Sequence, residues 1–593
     1  MSGCCKRLQV GAALRSRLSL IGEMLHSAHS GAATEGRPYM NTGEPKRDQP
    51  MTKKERSDET YWRRLGQVIT PQRVAWFIVA FGIALRAAQY LFKAALYVDE
   101  GALALNIINR SFAGLLQPLD SEQAAPVGFL FLEKLAFLMF GDGEYSLRLF
   151  PFLFSIASVF LFYEAGRRLL RPWGATIALA LFAVSSYLVY YAAQIKQYSS
   201  DVAITLLIII AGVEIGAKQL TAGRAALFAG IGATVVWFSH PSVFVLAGVG
   251  GTLALASLLN KDWPRFWKLA GVYAVWLMSF AAFYLISLRN LSSNRTLEAS
   301  WAKKGTFMPL LPHSLGDLEW IPRALVKMCS NPFGLPFPII AALVFLIGCV
   351  ALFLKNKHLL LMLVAPIALT MLASAVHAYP FGRRLLLFLI PAALLVLTAG
   401  FDFILEKKRP YSMLIAGPIV ALLLIQPAGG ATNNMLHPHS RQDIRPIIAY
   451  VRDHRQPGDL VYVYHHQRES FQYYARKYGF DENEFVLGID ARDKSKSSVD
   501  WQAYERDVDQ LRGHQRVWLT FSHVRRIQGV REDEFMLKYV SKLGTLLDKF
   551  VPDEVSPASQ AEEAELADAA DFTPAPASAY LYDMSNTPPG RAE

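Results

Sequence analysis

Apolar residues in this chain come in blocks separated by short polar turns. The blocks run Val74–Phe92, Tyr145–Glu164, Trp173–Tyr191, Ser199–Gly216, Ala225–Ser239, Ser242–Leu259 and Leu269–Ser287. They continue as Phe337–Leu354, Leu359–Val376, Leu385–Ala399 and Tyr411–Ile425. Roughly 15 to 20 apolar residues in a row is the length of a bilayer crossing, so each block is predicted to be a membrane-spanning helix. Pro126–Phe140 is apolar too, but it is short and interrupted by Glu133-Lys134. Reading it as a helix lying on the membrane surface keeps Arg167, Arg168 and Arg171 on the inner side, whereas a full crossing would move them out.

With that choice the turns alternate. Lys and Arg gather at every second one: Arg63, Arg64 and Arg73 before the first block, then Arg167-Arg168, Lys218 with Arg224, Lys261 with Arg265 and Lys268, Lys355 with Lys357, and Lys407-Lys408-Arg409. Cytoplasmic turns carry this basic excess, so the pattern predicts about eleven spans and a C-terminus outside.

After Pro427 the apolar blocks cease. Asp443–His454 and Ser470–Tyr478 have helical periodicity, while Asp459–Tyr464 and Val517–Phe521 are short apolar strands. The fold class expected is mainly α: a polytopic membrane protein of about eleven transmembrane helices with juxtamembrane helices on the outer face, plus a small C-terminal α/β domain outside the membrane. The expected divisions are a cytoplasmic, mostly disordered extension over 1–72 and a transmembrane domain over 73–427 whose first outer loop covers about 93–144. An α/β domain over 428–552 and an Ala-, Glu- and Pro-rich disordered tail over 553–593 complete the chain.

Composition fits this picture. Of 593 residues 52% are hydrophobic and 18% charged, and the net charge of +11 sits in the turns between spans. Orientation in the membrane explains that charge, and no nucleic-acid partner is expected. The four cysteines (Cys4, Cys5, Cys329 and Cys349) include no pair with zinc-ligand spacing, and none lies in the C-terminal segment.

Candidate chemistry collects on the outer face. Asp99-Glu100 follows the first span in Tyr97-Val98-Asp99-Glu100. Taken alone, the pair also reads as a helix exit solvated by headgroup water. It has company, however. Arg86, Gln89, Tyr90 and Lys93 form a polar stripe along the outer half of the first span, and an arginine that deep tends to face an interior cavity. The next outer turn, Tyr190 to Asp201, carries Lys196, Gln197 and Tyr198, with Asp201 at its end. A further outer turn carries Arg383-Arg384, whose guanidinium forks suit a phosphate. His240-Pro241 caps another, where a histidine also serves as an ordinary helix end. Acids, lysine, arginines, tyrosines and a histidine on one face suggest a site for an anionic, lipid-borne substrate.

These residues fall in a recognisable series. Asp99-Glu100, Gln123-Ala124-Ala125-Pro126, Gly141-Asp142-Gly143-Glu144-Tyr145-Ser146-Leu147-Arg148-Leu149, Gln194-Ile195-Lys196-Gln197-Tyr198-Ser199 and the Tyr379–Arg384 turn occur in that order. The series resembles the GT-C membrane glycosyltransferases, in the bacterial branch that holds protein mannosyltransferase-like, aminoarabinose-transferase-like and lipopolysaccharide galacturonosyltransferase-like proteins. It covers roughly residues 76–400, and the string from Ser440 to Tyr464 resembles the exterior tail segment of the same group.

The resemblance implies a location in the cytoplasmic (inner) membrane, with the active site outside. There a sugar would pass from a polyprenyl-phosphate donor to a glycolipid, polysaccharide or protein acceptor. Asp99 matches the acid proposed in the family as catalytic base, and Glu100 beside it is the second catalytic candidate, with orienting the loop or binding the acceptor as its alternative roles. Lys196, Arg383, Arg384, Arg86 and Arg148 are the candidates for the donor phosphate. Lys93, Tyr97, Glu144, Gln197, Tyr198, Asp201 and His240 are the candidates for the rest of the substrate. Oligosaccharyltransferases of the superfamily bind a divalent metal through acidic pairs in two loops. Asp142 and Glu144 resemble a second pair, but Gly141-Asp142-Gly143 reads equally as a turn, and no metal or other cofactor is predicted. The competing expectations are a transporter or flippase for a lipid-linked glycan and a catalytically inactive scaffold. A transporter would show inverted repeats and polar residues at mid-membrane. The sequence has no evident internal repeat, and its polar residues lie at one surface.

Overall fold

The computed structural model describes residues 70–289, 295–311, 314–406, 410–437, 443–493, 498–552 and 576–585. The expected N-terminal extension, up to residue 69, lies outside the described residues.

The first long helix, α1 (Pro71–Leu91), starts where Thr70 accepts the Arg73 N–H and Pro occupies the first turn. Two shorter helices follow, α2 (Val98–Asn109) and α3 (Val127–Phe140). The bundle continues with α4 (Leu149–Leu169), α5 (Pro172–Val184), α6 (Ser186–Tyr190), α7 (Tyr198–Ala217), α8 (Ala222–Val235), α9 (Ser242–Leu259) and α10 (Trp263–Phe283). Then come α11 (Leu315–Ser330), α12 (Pro338–Lys355), α13 (Lys357–Ala375), a 3-10 stretch (Arg383–Leu389) running into α14 (Ile390–Glu406), and α15 (Pro410–Leu436).

Among the described residues nine helices are long and apolar enough to cross a membrane, or ten if the pair from Pro172 to Ala193, bent by 55°, is one crossing. The remaining expected span is α8, whose 14 residues fall short of the ~20 that a perpendicular crossing takes. Helix α3 is also 14 residues long. Its Lys134 donates to the carbonyls of Ile107 and Ile108, which closes the C-terminal end of α2.

Apolar side chains cover the bundle outside and in. Leu277, Met278, Leu285, Leu343, Leu346 and Phe353 are exposed on helix faces, as lipid contact requires. In contrast, α14 is buried nearly all round. It lies against α12 at backbone distance: a Cβ on Gly348 would stand 1.9 Å from the Val396 carbonyl oxygen, and one on Gly400 2.6 Å from that of Val344. Small residues let helices meet this closely where no hydrophobic effect drives them together. At the end opposite Asp99, Arg168 pairs with Glu164 and Glu214, while Glu406 pairs with Arg171 and Lys355. The basic turns are therefore clamps between helices as well as topological signals.

Beyond α15 lies the α/β domain: α16 (Arg445–His454), β1 (Leu460–Val463), α17 (Arg468–Lys477), β2 (Phe485–Leu487), α18 (Trp501–Asp509), β3 (Val517–Phe521), α19 (Glu532–Leu543), β4 (Thr545–Phe550) and β5 (Ser578–Asp583). The sheet order is β2-β1-β3-β5-β4; the first three strands are parallel, while β5 runs antiparallel to both β3 and β4.

Two expectations about boundaries change. Helix α15 continues through Pro427 to Leu436, because Pro418 and Pro427 are accommodated within it. The expected disordered tail contains β5, which fills the sheet between β3 and β4 and buries Ala579, Leu581 and Tyr582. Residues 553–575 and 586–593 of that tail lie outside the described residues.

Candidate active site

The first turn of α2 fixes the site. Two carboxylates there are favoured by the helix dipole, and successive residues point about 100° apart around the axis. Asp99 and Glu100 therefore face different surroundings. Glu100 turns inward and is 1% exposed. Its oxygens accept Arg148 Nε at 3.1 Å and Nη2 at 2.9 Å, the Ile195 N–H at 2.9 Å and the Tyr97 N–H at 3.2 Å. Four donors from three segments leave this carboxylate no capacity for a substrate.

Asp99 turns to the other side and is about one-third exposed at its side chain, where Arg384 Nη2 donates to it at 2.7 Å. Arg384 also lies over the Tyr198 ring, 6.0 Å from its centroid. Lys196 is buried and donates from Nζ to Gln123 Oε1 at 2.6 Å. Burial alone would raise the Asp99 carboxyl. Arg384 first, then Lys196 and Lys304, overcome that and hold it at about 2. For Lys196 burial dominates: despite the nearby Asp99 charge, its ammonium is lowered to about 8. One carboxylate thus faces an arginine from the α14 approach and a lysine from the turn before α7.

Other predicted residues occupy different places. Arg86 and Arg148 are corrections to the phosphate set. Arg86 is fully buried, donating to Ser155 Oγ at 2.9 Å and to the carbonyls of Gly82 and Ala183. It ties α1 to α4 and to the end of α5, which explains an arginine so deep in a span. Arg148 holds Glu100 and the carbonyls of Ala94 and Ala95. Glu100, the second catalytic candidate, is an internal brace that orients the loop rather than a group open to substrate.

Lys93 and Glu144 also lie apart from Asp99. They pair at 3.6 Å, and Glu144 faces Arg445 at 3.7 Å, Lys477 at 4.0 Å and the Tyr474 hydroxyl. This is a junction with the α/β domain, where those cations and its own backbone offset burial and lower the Glu144 carboxyl. The carbonyl of Asp142 joins it by accepting Tyr473 Oη and Lys477 Nζ.

Three candidates lie near the start of α7 and in the turn before α9. Gln197 Oε1, Asp201 Oδ1 and His240 Nε2 are buried atoms with no hydrogen-bond partner among the described residues. Burial lowers the His240 imidazole to about 4. Arg383 opens the 3-10 stretch with a left-handed φ of 54° and precedes Arg384. A small cleft lies beneath Tyr198, lined by Ser155, Ser158, Tyr191 and Ser199 together with apolar side chains.

The Tyr97 ring meets the His523 ring of the α/β domain in a T-shaped contact, with centroids 4.7 Å apart. Sequence reasoning missed this contact, as well as Lys304 and the bond from Lys196 to Gln123. Gln123 belongs to the ordered motif series, but nothing along the chain marks Lys304 or His523.

No protein-family model matches the chain, and neither does any curated protein. Solved structures do. ArnT from Cupriavidus metallidurans bound to undecaprenyl phosphate aligns over 88% of this chain and 99% of that one, at 14% identity and a TM-score of 0.48. The Archaeoglobus fulgidus oligosaccharyltransferase in complex with Zn and sulfate aligns over 75% of this chain and 67% of that one, at 13% identity and a TM-score of 0.48. The chain is thus similar over most of its length to two solved proteins, at low identity in each case.

Proposed function

We propose that the chain is a membrane glycosyltransferase of GT-C type, moving a sugar from a polyprenyl-phosphate donor to an acceptor hydroxyl on the extracytoplasmic side of the cytoplasmic membrane. The observation that carries this reading is Asp99, kept ionised beside Arg384 and Lys196 at one end of the helical bundle. A base and two phosphate-binding cations are what displacement of a lipid phosphate by a hydroxyl needs.

The acceptor oxygen attacks the anomeric carbon and its proton passes to Asp99. The bond from that carbon to the phosphate oxygen breaks, and the lipid phosphate leaves with one more negative charge. Arg384 and Lys196 stabilise that charge, and direct displacement inverts the anomeric centre. The ion pair sets the order of events. While Arg384 holds Asp99, the carboxylate is a weak base, since a pKa of about 2 gives little driving force for proton transfer. A donor phosphate competes for the guanidinium and neutralises the cations. Burial then raises Asp99 toward a more useful basicity. Donor binding primes the base.

Comparative mass spectrometry of glycolipids and glycoproteins from a strain lacking this gene tests the reading. One sugar should be missing from one acceptor, restored by the wild-type gene and not by Asp99→Asn. An unchanged glycan profile would overturn it.

A further inference from the structure

The α/β domain presents a cationic edge to the helix that carries Asp99. Strands β1 and β3 are parallel neighbours, and the residues that follow them leave the sheet side by side: His465, His466, Gln467 and Arg468 after β1; Ser522, His523, Val524 and Arg525 after β3. Ligands of open α/β sheets bind at this carboxyl edge. His466 Nδ1 contacts the His523 carbonyl oxygen at 2.9 Å, and Arg525 Nη2 lies 2.5 Å from His466 Nε2. Since Nε2 accepts from a guanidinium, His466 is neutral, donating from Nδ1 and accepting at Nε2. Burial is also the main effect that lowers this imidazole.

Arg525 therefore spends its one bond on an uncharged partner, and no carboxylate faces it among the described residues. Arg468 donates to the Gly488 carbonyl, and its buried Nε has no partner there either. The acids close by are engaged: Asp490 with Arg492, and Glu532 with the hydroxyls of Tyr464 and Tyr504. The edge carries uncompensated positive charge.

It is also tied to the catalytic helix. The His523 ring meets Tyr97, two residues before Asp99. Ser470 Oγ donates to the Leu96 carbonyl, the Tyr474 hydroxyl accepts the Leu96 N–H, and Ser121 donates to Glu469. Resting on the glycosyltransferase reading, we infer that this edge binds the acceptor: a saccharide bearing a phosphate or carboxylate, its anion on Arg525 and its ring against Tyr97. Guanidinium recognises both anions with the same fork, and Tyr97 supplies a flat apolar face for a pyranose.

Binding of glucose 1-phosphate, glucuronate and glucose to the full-length protein in nanodiscs tests this without turnover. The charged sugars, or whichever of the two carries the right anion, should bind. Arg525→Gln, which keeps a donor for His466, should weaken them at least tenfold. The probe that binds distinguishes phosphate from carboxylate. Glucose binding as well as the charged sugars, no binding of either charged sugar, or equal affinity in Arg525→Gln would overturn the inference. A chain without transferase activity that retains Arg525-dependent binding would instead overturn the reading of Asp99.

Discussion

Glu100 and Arg148 meet 2.9 Å apart in the protein interior, and this pair aims Asp99. With Glu100 drawn inward by Arg148, Ile195 and Tyr97, the adjacent carboxylate can only project to the Arg384 side.

Removing one member of that pair leaves the other buried and uncompensated, which costs about 3–5 kcal/mol. Glu100→Gln is therefore predicted to lower the thermal unfolding temperature of the purified protein by several degrees. Asp99→Asn, at a partly exposed position, should shift it far less. Equal stability of the two variants would remove the brace from the account.

The cations beside Asp99 predict a pH effect with a definite sign. A carboxylate base works only when deprotonated, so activity falls as pH drops through its pKa. In the free enzyme that value is about 2, because Arg384 and Lys196 outweigh burial. Arg384→Ala should shift the acid limb of kcat/KM upward by more than one pH unit, besides weakening donor binding. A limb at the wild-type position would show that Asp99 is not the titrating base.

Lys196 titrates the other way. Its ammonium is charged below about 8 and lost above it. Donor KM is predicted to rise as pH increases through 8, and Lys196→Arg, which stays charged, should flatten that rise. Steady-state kinetics with varied lipid donor reads both.

A fourth prediction concerns the seat of the α/β domain. A Cβ on Gly101 would stand 2.9 Å from the Ser470 backbone nitrogen, so α2 and α17 touch main chain to main chain. Gly101→Val should open this contact, speeding hydrogen exchange in α17 and lowering transfer while leaving the distant bundle unchanged. Unaltered exchange would contradict the docking.

The membrane helices were legible because burial in lipid forces whole blocks to be apolar, and the blocks from Val74 to Ile425 show it. Strands β1 and β3 were visible for a similar reason, as short apolar runs. Strand β5 was not: Ser578–Asp583 is six residues in an Ala- and Pro-rich context, and only its partners across the sheet make it a strand. Asp99, Lys196 and Arg384 were candidates from residue type and expected side of the membrane, and the structure brings the three together. Arg86 and Arg148 could not be sorted from them, because an arginine that braces and one that binds read alike along the chain. Burial and partners, not residue type, distinguish them.

The most direct test is sugar transfer by Asp99→Asn, measured on the purified protein beside its affinity for the polyprenyl-phosphate donor. Asparagine fills the same space and cannot take the acceptor proton. The account predicts transfer reduced at least a hundredfold, with donor affinity retained or increased as Arg384 is released. Transfer at the wild-type rate would contradict it.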